Sequence, residues 1–192
     1  MILFDIEANG LLEDSTEIWC ISGMDINIEE EKERLTYEKK KTIWGEGLTA
    51  ENVEAFFSTS DYIIGHNIIG YDVPMLEKYF PGCGILQKNP IDTYTLSKLA
   101  NADRLMPPGC PHGIWNPLTG KTKKIGPHGL ESWGYRVAHQ KPTIHDWTVF
   151  DEGILNRCEE DVHINFLAMK IMLKELNVSL KDISEQNLII QT

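Results

Sequence analysis

Phe4-Asp5-Ile6-Glu7-Ala8-Asn9-Gly10-Leu11-Leu12, residues 4–12, places two acids two residues apart inside an apolar run that starts at Met1. Residues 1–7 read as a strand, and Asn9-Gly10 is a turn signal directly after it. In a strand, positions i and i+2 project from one face. Asp5 and Glu7 therefore point the same way, and Ile6 points to the opposite side, toward a core. Two carboxylates on one face of an apolar strand are costly unless a cation lies between them. A wet sheet edge accounts for this pair equally well.

Outward from this strand, residues 17–25 (EIWCISGMD) predict a second strand, 26–33 a charged hairpin tip and 34–45 a third strand. Thr49 is placed to cap a short helix over 50–59. The compact apolar run 61–66 (DYIIGH) fits a buried strand. A helix is expected from Asp72, with Pro74 in its first turn. Val73, Leu76 and Phe80 would face the core, and Glu77 and Lys78 solvent. Asp92 opens a further helix through Leu96 and Leu99. Residues 101–127 form a long Pro/Gly-rich irregular stretch, a length usually functional or disordered. Residues 128–138 look helical, 139–149 form a loop, 152–175 carry the longest helical pattern, and 177–192 are weakly patterned. Strands first and then helices mixed with strands give an α/β fold, a mixed central sheet with helices on its faces.

The 192 residues suffice for one full core and are too few for two ordinary domains. Apolar residues make up 42% and charged residues 24%, as in soluble globular proteins. No apolar run approaches the roughly 18 residues of a membrane span. The N-terminus reaches Asp5 without the basic region of a signal peptide, so the cytoplasm is the expected location. Cys20, Cys83, Cys110 and Cys158 show no CxxC pairing, and indicate neither a zinc site nor a disulfide framework. The net charge of −11 argues against a passive duplex-binding module. It is compatible with a phosphodiester-cleaving enzyme whose acids are neutralised locally by divalent metal.

Two further acids have ordinary structural readings when taken alone. Asp72, just before Val73-Pro74, is a natural helix N-cap. Asp161 could pair with Arg157 at i,i+4 on a solvated helix face. In context the reading changes. FDIEANGLL, HNIIGYDVPML (66–76) and RCEEDVHIN (157–165) occur in order and resemble the three exonuclease motifs of the DEDD superfamily. The Asn67 to Asp72 spacing and GPHGLESWGYR (126–136) are similar to the proofreading domain of family-A DNA polymerases from short-tailed bacteriophages. The resemblance spans roughly residues 1–175, which gives an exonuclease domain over 1–176 and a C-terminal tail over 177–192.

That resemblance implies a ribonuclease H-like fold and a 3′→5′ exonuclease with two divalent metal ions, Mg or Mn. Asp5 would bridge both ions, Glu7 and Asp161 would complete the first site, and Asp72 would act on the second through water. Carboxylate oxygen suits these hard cations. Nucleoside 5′-monophosphates would be released from single-stranded or frayed DNA 3′ ends. The chain would be stand-alone, or associated with a DNA polymerase domain or replication partner, and would act in the host cytoplasm if phage-encoded. Leu11 matches a position packed against the terminal bases, and is equally readable as core. Asn67 and Tyr71 resemble residues lining the strand groove, although Tyr71 also reads as a core aromatic. His128 is expected to face the cleft and Trp133 the core. The lysines at 39–41 and at 121, 123 and 124 are the clear basic clusters, available to track a DNA backbone.

The match breaks at one point. The family places a Tyr four residues, or a His five residues, before its last Asp, to orient or deprotonate the attacking water. Here those positions hold Arg157 and Asn156. Arginine stays protonated and asparagine does not titrate. His139, His145 and His163 are the available substitutes. The same chemistry on RNA, and a catalytically weak nucleic-acid-binding module on this fold, are the competing readings.

Overall fold

The computed structural model describes residues 1–29, 34–39, 42–116, 120–144 and 146–185. One mixed sheet contains β1 (Ile2–Ala8), β2 (Ile18–Glu29), β3 (Arg34–Lys39), β4 (Ile43–Trp44), β5 (Tyr62–Gly65) and β6 (Asn89–Asp92). Its order is β3-β2-β1-β5-β6, with β4 paired to β2. β1 runs antiparallel to β2 and parallel to β5, and β5 runs parallel to β6. The carboxyl ends of β1, β5 and β6 therefore share one edge, which is where ligands bind in α/β sheets.

Alternation along β1 assigns its two faces. Ile2, Phe4, Ile6 and Ala8 pack with α1 (Ala50–Phe57) and α2 (Asp72–Tyr79) through Val53, Phe57, Met75 and Leu76. Leu3 enters the opposite layer, with α3 (Thr93–Ala100), α4 (Leu130–Arg136) and the 25-residue α5 (Glu152–Leu176). Asp5 and Glu7 continue the row of Leu3 toward α5. Buried apolar layers on both faces hold β1 rigidly in place.

Helix starts follow the expected chemistry. The Thr49 side chain accepts from Asn52 N, and Asp151 accepts from Ile154 N. Asp92 caps α3 by accepting from Tyr94 N and Thr95 N. Leu96 of that helix is buried, whereas Leu99 is exposed. Asn177 ends α5 in the left-handed conformation, with φ 54°, which asparagine tolerates better than most residues.

Several boundaries differ from the sequence expectation. β2 extends through Glu29, because Ile26 and Ile28 keep alternating and pair with Tyr37 and Leu35 of β3. The charged tip expected over 26–33 is thus strand to residue 29, and residues 30–33 lie outside the described set. The run 34–45 divides into β3 and β4. The stretch 101–127 contains a hairpin of β7 (Gly113–Asn116) and β8 (Lys121–Lys124). Past residue 176, α6 (Leu180–Glu185) buries Leu180 and Ile183 in the α5-side core, and Tyr62 Oη donates to Ser184 O at 2.8 Å. Among the described residues, no helix is long and apolar enough to cross a membrane.

Candidate active site

Asp5 and Glu7 meet Asp161, which projects from α5 across the face that β1 presents. The three offer ligand atoms all within 4.8 Å of one another. Cys158, one turn before Asp161, donates its thiol to Asp5 O at 3.3 Å and ties the helix to the strand. Asp161 is buried, and its Oδ1 has no hydrogen-bond partner among the described residues. An orphaned buried carboxylate oxygen beside two more carboxylates is a donor set for a hard divalent cation. The residues present therefore fit the metal that the sequence motifs imply.

Asp72 does not cap its own helix. The N-cap of α2 is Tyr71, with no side-chain bond, and Asp72 is the first helical residue. Its Oδ1 instead accepts from Ile6 N at 3.2 Å. β1 pairs with β5 only at Ile2 and Leu3, so it outruns its neighbour. The Ile6 amide lies past the end of that pairing, and a buried amide needs an acceptor. This bond draws Asp72 to the strand carrying Asp5 and Glu7.

The chain from β5 to Asp72 is fixed by close packing. A Cβ on Gly65 would meet Ile68 Cγ2 at 2.0 Å and Phe4 O at 3.0 Å, so only glycine fits there. Asn67 turns the chain at φ 65°, a region that asparagine tolerates. The Asp92 carboxylate accepts from Asn67 N at 3.1 Å and Ile69 N at 3.2 Å while capping α3. One buried acid thus holds both the turn and the next helix.

The cluster is electrostatically crowded. Burial, followed by Asp72, Asp161 and Glu7, pushes the Asp5 carboxyl well above its ordinary value, while Lys141 pulls it down. Burial and Asp161 raise Glu7 from 4.5 to about 8, against Arg157 and Lys141. Burial raises Asp72 from 3.8 to about 7, opposed by its bond to Ile6 and aided by Asp92 and Asp161. Buried carboxylates this close resist sharing negative charge, which is the condition a bound cation relieves.

Two cations answer part of that charge. Lys141 Nζ lies 2.9 Å from Asp161 Oδ2 and 3.9 Å from Glu131 Oε2. Arg157 Nε lies 3.4 Å from Glu7 Oε1, and Arg157 Nη1 donates to Pro142 O at 2.6 Å. The i,i+4 pairing of Arg157 with Asp161 is not made: Arg157 reaches across to β1, and Asp161 takes Lys141. The Arg157 guanidinium also lies 5.3 Å from the Trp147 ring.

The remaining expected site residues separate into two groups. Leu11 is 72% exposed and is not part of the core. Asn67 is exposed at the turn. Tyr71 is half-buried, and its hydroxyl donates to Gly10 O at 2.7 Å, anchoring the segment that presents Leu11. Burial, then the charges of Asp72, Glu7 and Asp5, push its phenol upward. His128 is half-buried, with Nδ1 at 3.0 Å from Ser97 Oγ. Trp133 is fully buried, as expected, and donates to Ser97 Oγ at 3.2 Å.

The histidines proposed as substitutes sit elsewhere. His139 contacts Glu160 and lies tilted against His163, ring centroids 4.8 Å apart, and His163 also meets the ring of Tyr37. Both lie with the 160 and 163 stripe of α5, not that of Asp161, and His145 is outside the described residues. Of the lysines, Lys39 pairs with Glu159, and 40 and 41 are outside the described set. Lys123 of the hairpin is exposed, and the charges of Lys141, Arg157, Glu7 and Glu131 act on it. Trp115 of the same hairpin is 61% exposed.

Lys141 and the stapling role of Asp92 were missed in the sequence. Lys141 lies in a loop with no motif, and Asp92 carries only an N-cap signal.

A profile of the RNase_H_2 family, of the RNase_H superfamily, matches residues 2–105, and the chain belongs to this ribonuclease H superfamily. The chain is 32% identical over 151 residues to the DNA-directed DNA polymerase of Escherichia phage T7, and 30% identical over 151 residues to that of Enterobacteria phage T3. Each match covers 76% of this chain and 20% of the polymerase, so the chain spans about a fifth of the relatives' length. In fold it is similar to E. coli exonuclease I solved with a dT13 oligonucleotide, with a TM-score of 0.51 at 12% identity, over 92% of this chain and 41% of that one. The ribonuclease H-like mixed sheet expected from the motifs is the fold found.

Proposed function

We propose that this chain is a metal-dependent 3′→5′ exonuclease acting on single-stranded or frayed DNA ends, over a domain that extends past the expected boundary at residue 176 to include α6. The observation that carries this reading is the convergence of Asp5, Glu7 and Asp161 within 4.8 Å in a member of this superfamily. Asp5, Glu7 and Asp161 would hold one divalent ion, and Asp5 with Asp72 a second, Mg or Mn. Ions held there supply Lewis-acid charge to the scissile phosphate and its leaving oxygen.

The chain's own residues do the rest. Buried apolar layers on both faces of β1 and the Cys158–Asp5 contact fix the acids before substrate arrives, so little reorganisation remains. Leu11, held out by the Tyr71–Gly10 bond, packs on the terminal base, and Asn67 lines the groove. His128, on the rim above Ser97, approaches the strand next to Tyr94. Lys123 and Trp115 offer a cation and a stacking ring to the strand as it leaves. Arg157 is committed to Glu7 and is no base. Turnover is therefore slow relative to a site bearing Tyr or His at that position. The phage polymerase relatives support association with a polymerase domain or replication partner.

The test is single-stranded DNA labelled at either end, and the matched RNA, incubated with Mg²⁺ or Mn²⁺. Mononucleotides released first from the 3′ label are expected, with DNA favoured. Asp5→Asn and Asp161→Ala should lose more than about a hundredfold of the rate with the fold retained. Strand binding without cleavage in either metal would refute the enzyme and favour a binding module. Faster cleavage of RNA would move the substrate class.

A further inference from the structure

Lys141 comes from the loop between α4 and α5, yet its ammonium lies inside the acid cluster. Nζ is 2.9 Å from Asp161 Oδ2, the side chain is only 10% exposed, and its charge reaches Asp5 and Glu7. A second carboxylate, Glu131 on α4, stands 3.9 Å from the same Nζ and is more exposed than Asp161. The amine thus has two acidic neighbours, one in the cluster and one at its rim. A divalent ion taken up by Asp5, Glu7 and Asp161 would face this ammonium across a single carboxylate. In a poorly solvated site, repulsion between such charges is far stronger than in water. The long flexible lysine stem allows the head group to shift without backbone movement.

We propose that Lys141 is a resident counter-ion of the acid cluster that competes with divalent metal for Asp161 and moves to Glu131 when metal binds. This rests on the reading that the cluster holds metal. Lys141 is a positioning residue in this scheme. It neutralises the cluster so that the metal-free protein folds, and it holds down the affinity for metal. Arg157 also counters the cluster, through Glu7, but its bond to Pro142 O and its place beside the Trp147 ring hold it there, and it makes no contact with Asp161.

The experiment is a Mn²⁺ titration of the EDTA-treated, substrate-free protein by calorimetry, with melting temperatures recorded in parallel. Lys141→Gln is expected to bind Mn²⁺ about tenfold more tightly or better, and to melt lower than wild type without metal but not with it. Lys141→Arg should stay near wild type. Glu131→Gln removes the second position and should weaken Mn²⁺ binding. Equal or weaker binding by Lys141→Gln overturns the proposal. If that variant does not fold, unchanged or tighter binding by Glu131→Gln overturns it. Asp5→Asn separates the two readings: wild-type binding that Asp5→Asn abolishes, with Lys141→Gln unchanged, sinks this inference alone. Absence of Mn²⁺ binding by the wild type sinks both.

Discussion

Without metal, this protein should lose stability as pH rises through the neutral range, opposite to the common behaviour of acid-rich proteins. The cause is three acids raised chiefly by burial: Asp5, pushed well above its ordinary value, Glu7, raised from 4.5 to about 8, and Asp72, raised from 3.8 to about 7. Each binds protons more tightly folded than unfolded. Their contribution is fully present below the unfolded values and is lost as pH rises through about 7 and about 8. His66 works the other way. Burial, with Lys141 nearby, lowers it from 6.5 to about 3, so its neutral folded form adds stability as pH rises to 6.5, after which the gain is complete. The carboxylate effect is therefore read above pH 6.5, where the unfolded acids are already ionised. At about 1.4 kcal/mol per pH unit per proton, Glu7 and Asp72 together withdraw about 2–3 kcal/mol between there and about pH 9. The assay is urea unfolding in EDTA across this range, repeated with saturating Mg²⁺. Metal binds the ionised acids of the folded state only, so the slope should vanish or reverse. Glu7→Gln should reduce the EDTA slope. A metal-free stability that is flat or rises above pH 6.5 would refute the assignment of raised acids.

Two other outcomes follow from the packing. Trp133 is fully buried, bonded to Ser97 and flanked by the Arg104 and Arg136 guanidiniums at 4.5 and 5.0 Å. Trp133→Ala should cost about 3–5 kcal/mol in urea unfolding, and a loss under about 1 kcal/mol would contradict its core role. Leu11 is exposed, so Leu11→Ala should leave stability within about 0.5 kcal/mol. It should raise KM for a DNA strand about fivefold, from roughly 1 kcal/mol of lost apolar contact. An unchanged KM would detach Leu11 from the substrate.

What the sequence determined by itself is what local periodicity encodes. Alternation along residues 1–7 put Asp5 and Glu7 on one face and Ile6 on the other. The caps at Thr49 and Asp92, and the long helix bearing Asp161, were legible because capping and 3.6-residue spacing are local. Motif context carried Asp72 and Asp161 past ordinary readings as a cap and as a surface pair. β6 was hidden because Asn89-Pro90-Ile91-Asp92 is short and holds a proline, and pairing with β5 makes it a strand. β2 ran further than its charged end suggested, because β3 supplies the partners of Ile26 and Ile28. The partners of the acids were decided only in three dimensions. Arg157 serves Glu7, Asp161 takes Lys141, and Asp72 takes the Ile6 amide, over separations that no sequence window spans. Which charge meets which in a buried cluster depends on where β1 outruns β5 and where the loop before α5 returns. These are properties of packing, so Lys141 had no signature in its own neighbourhood.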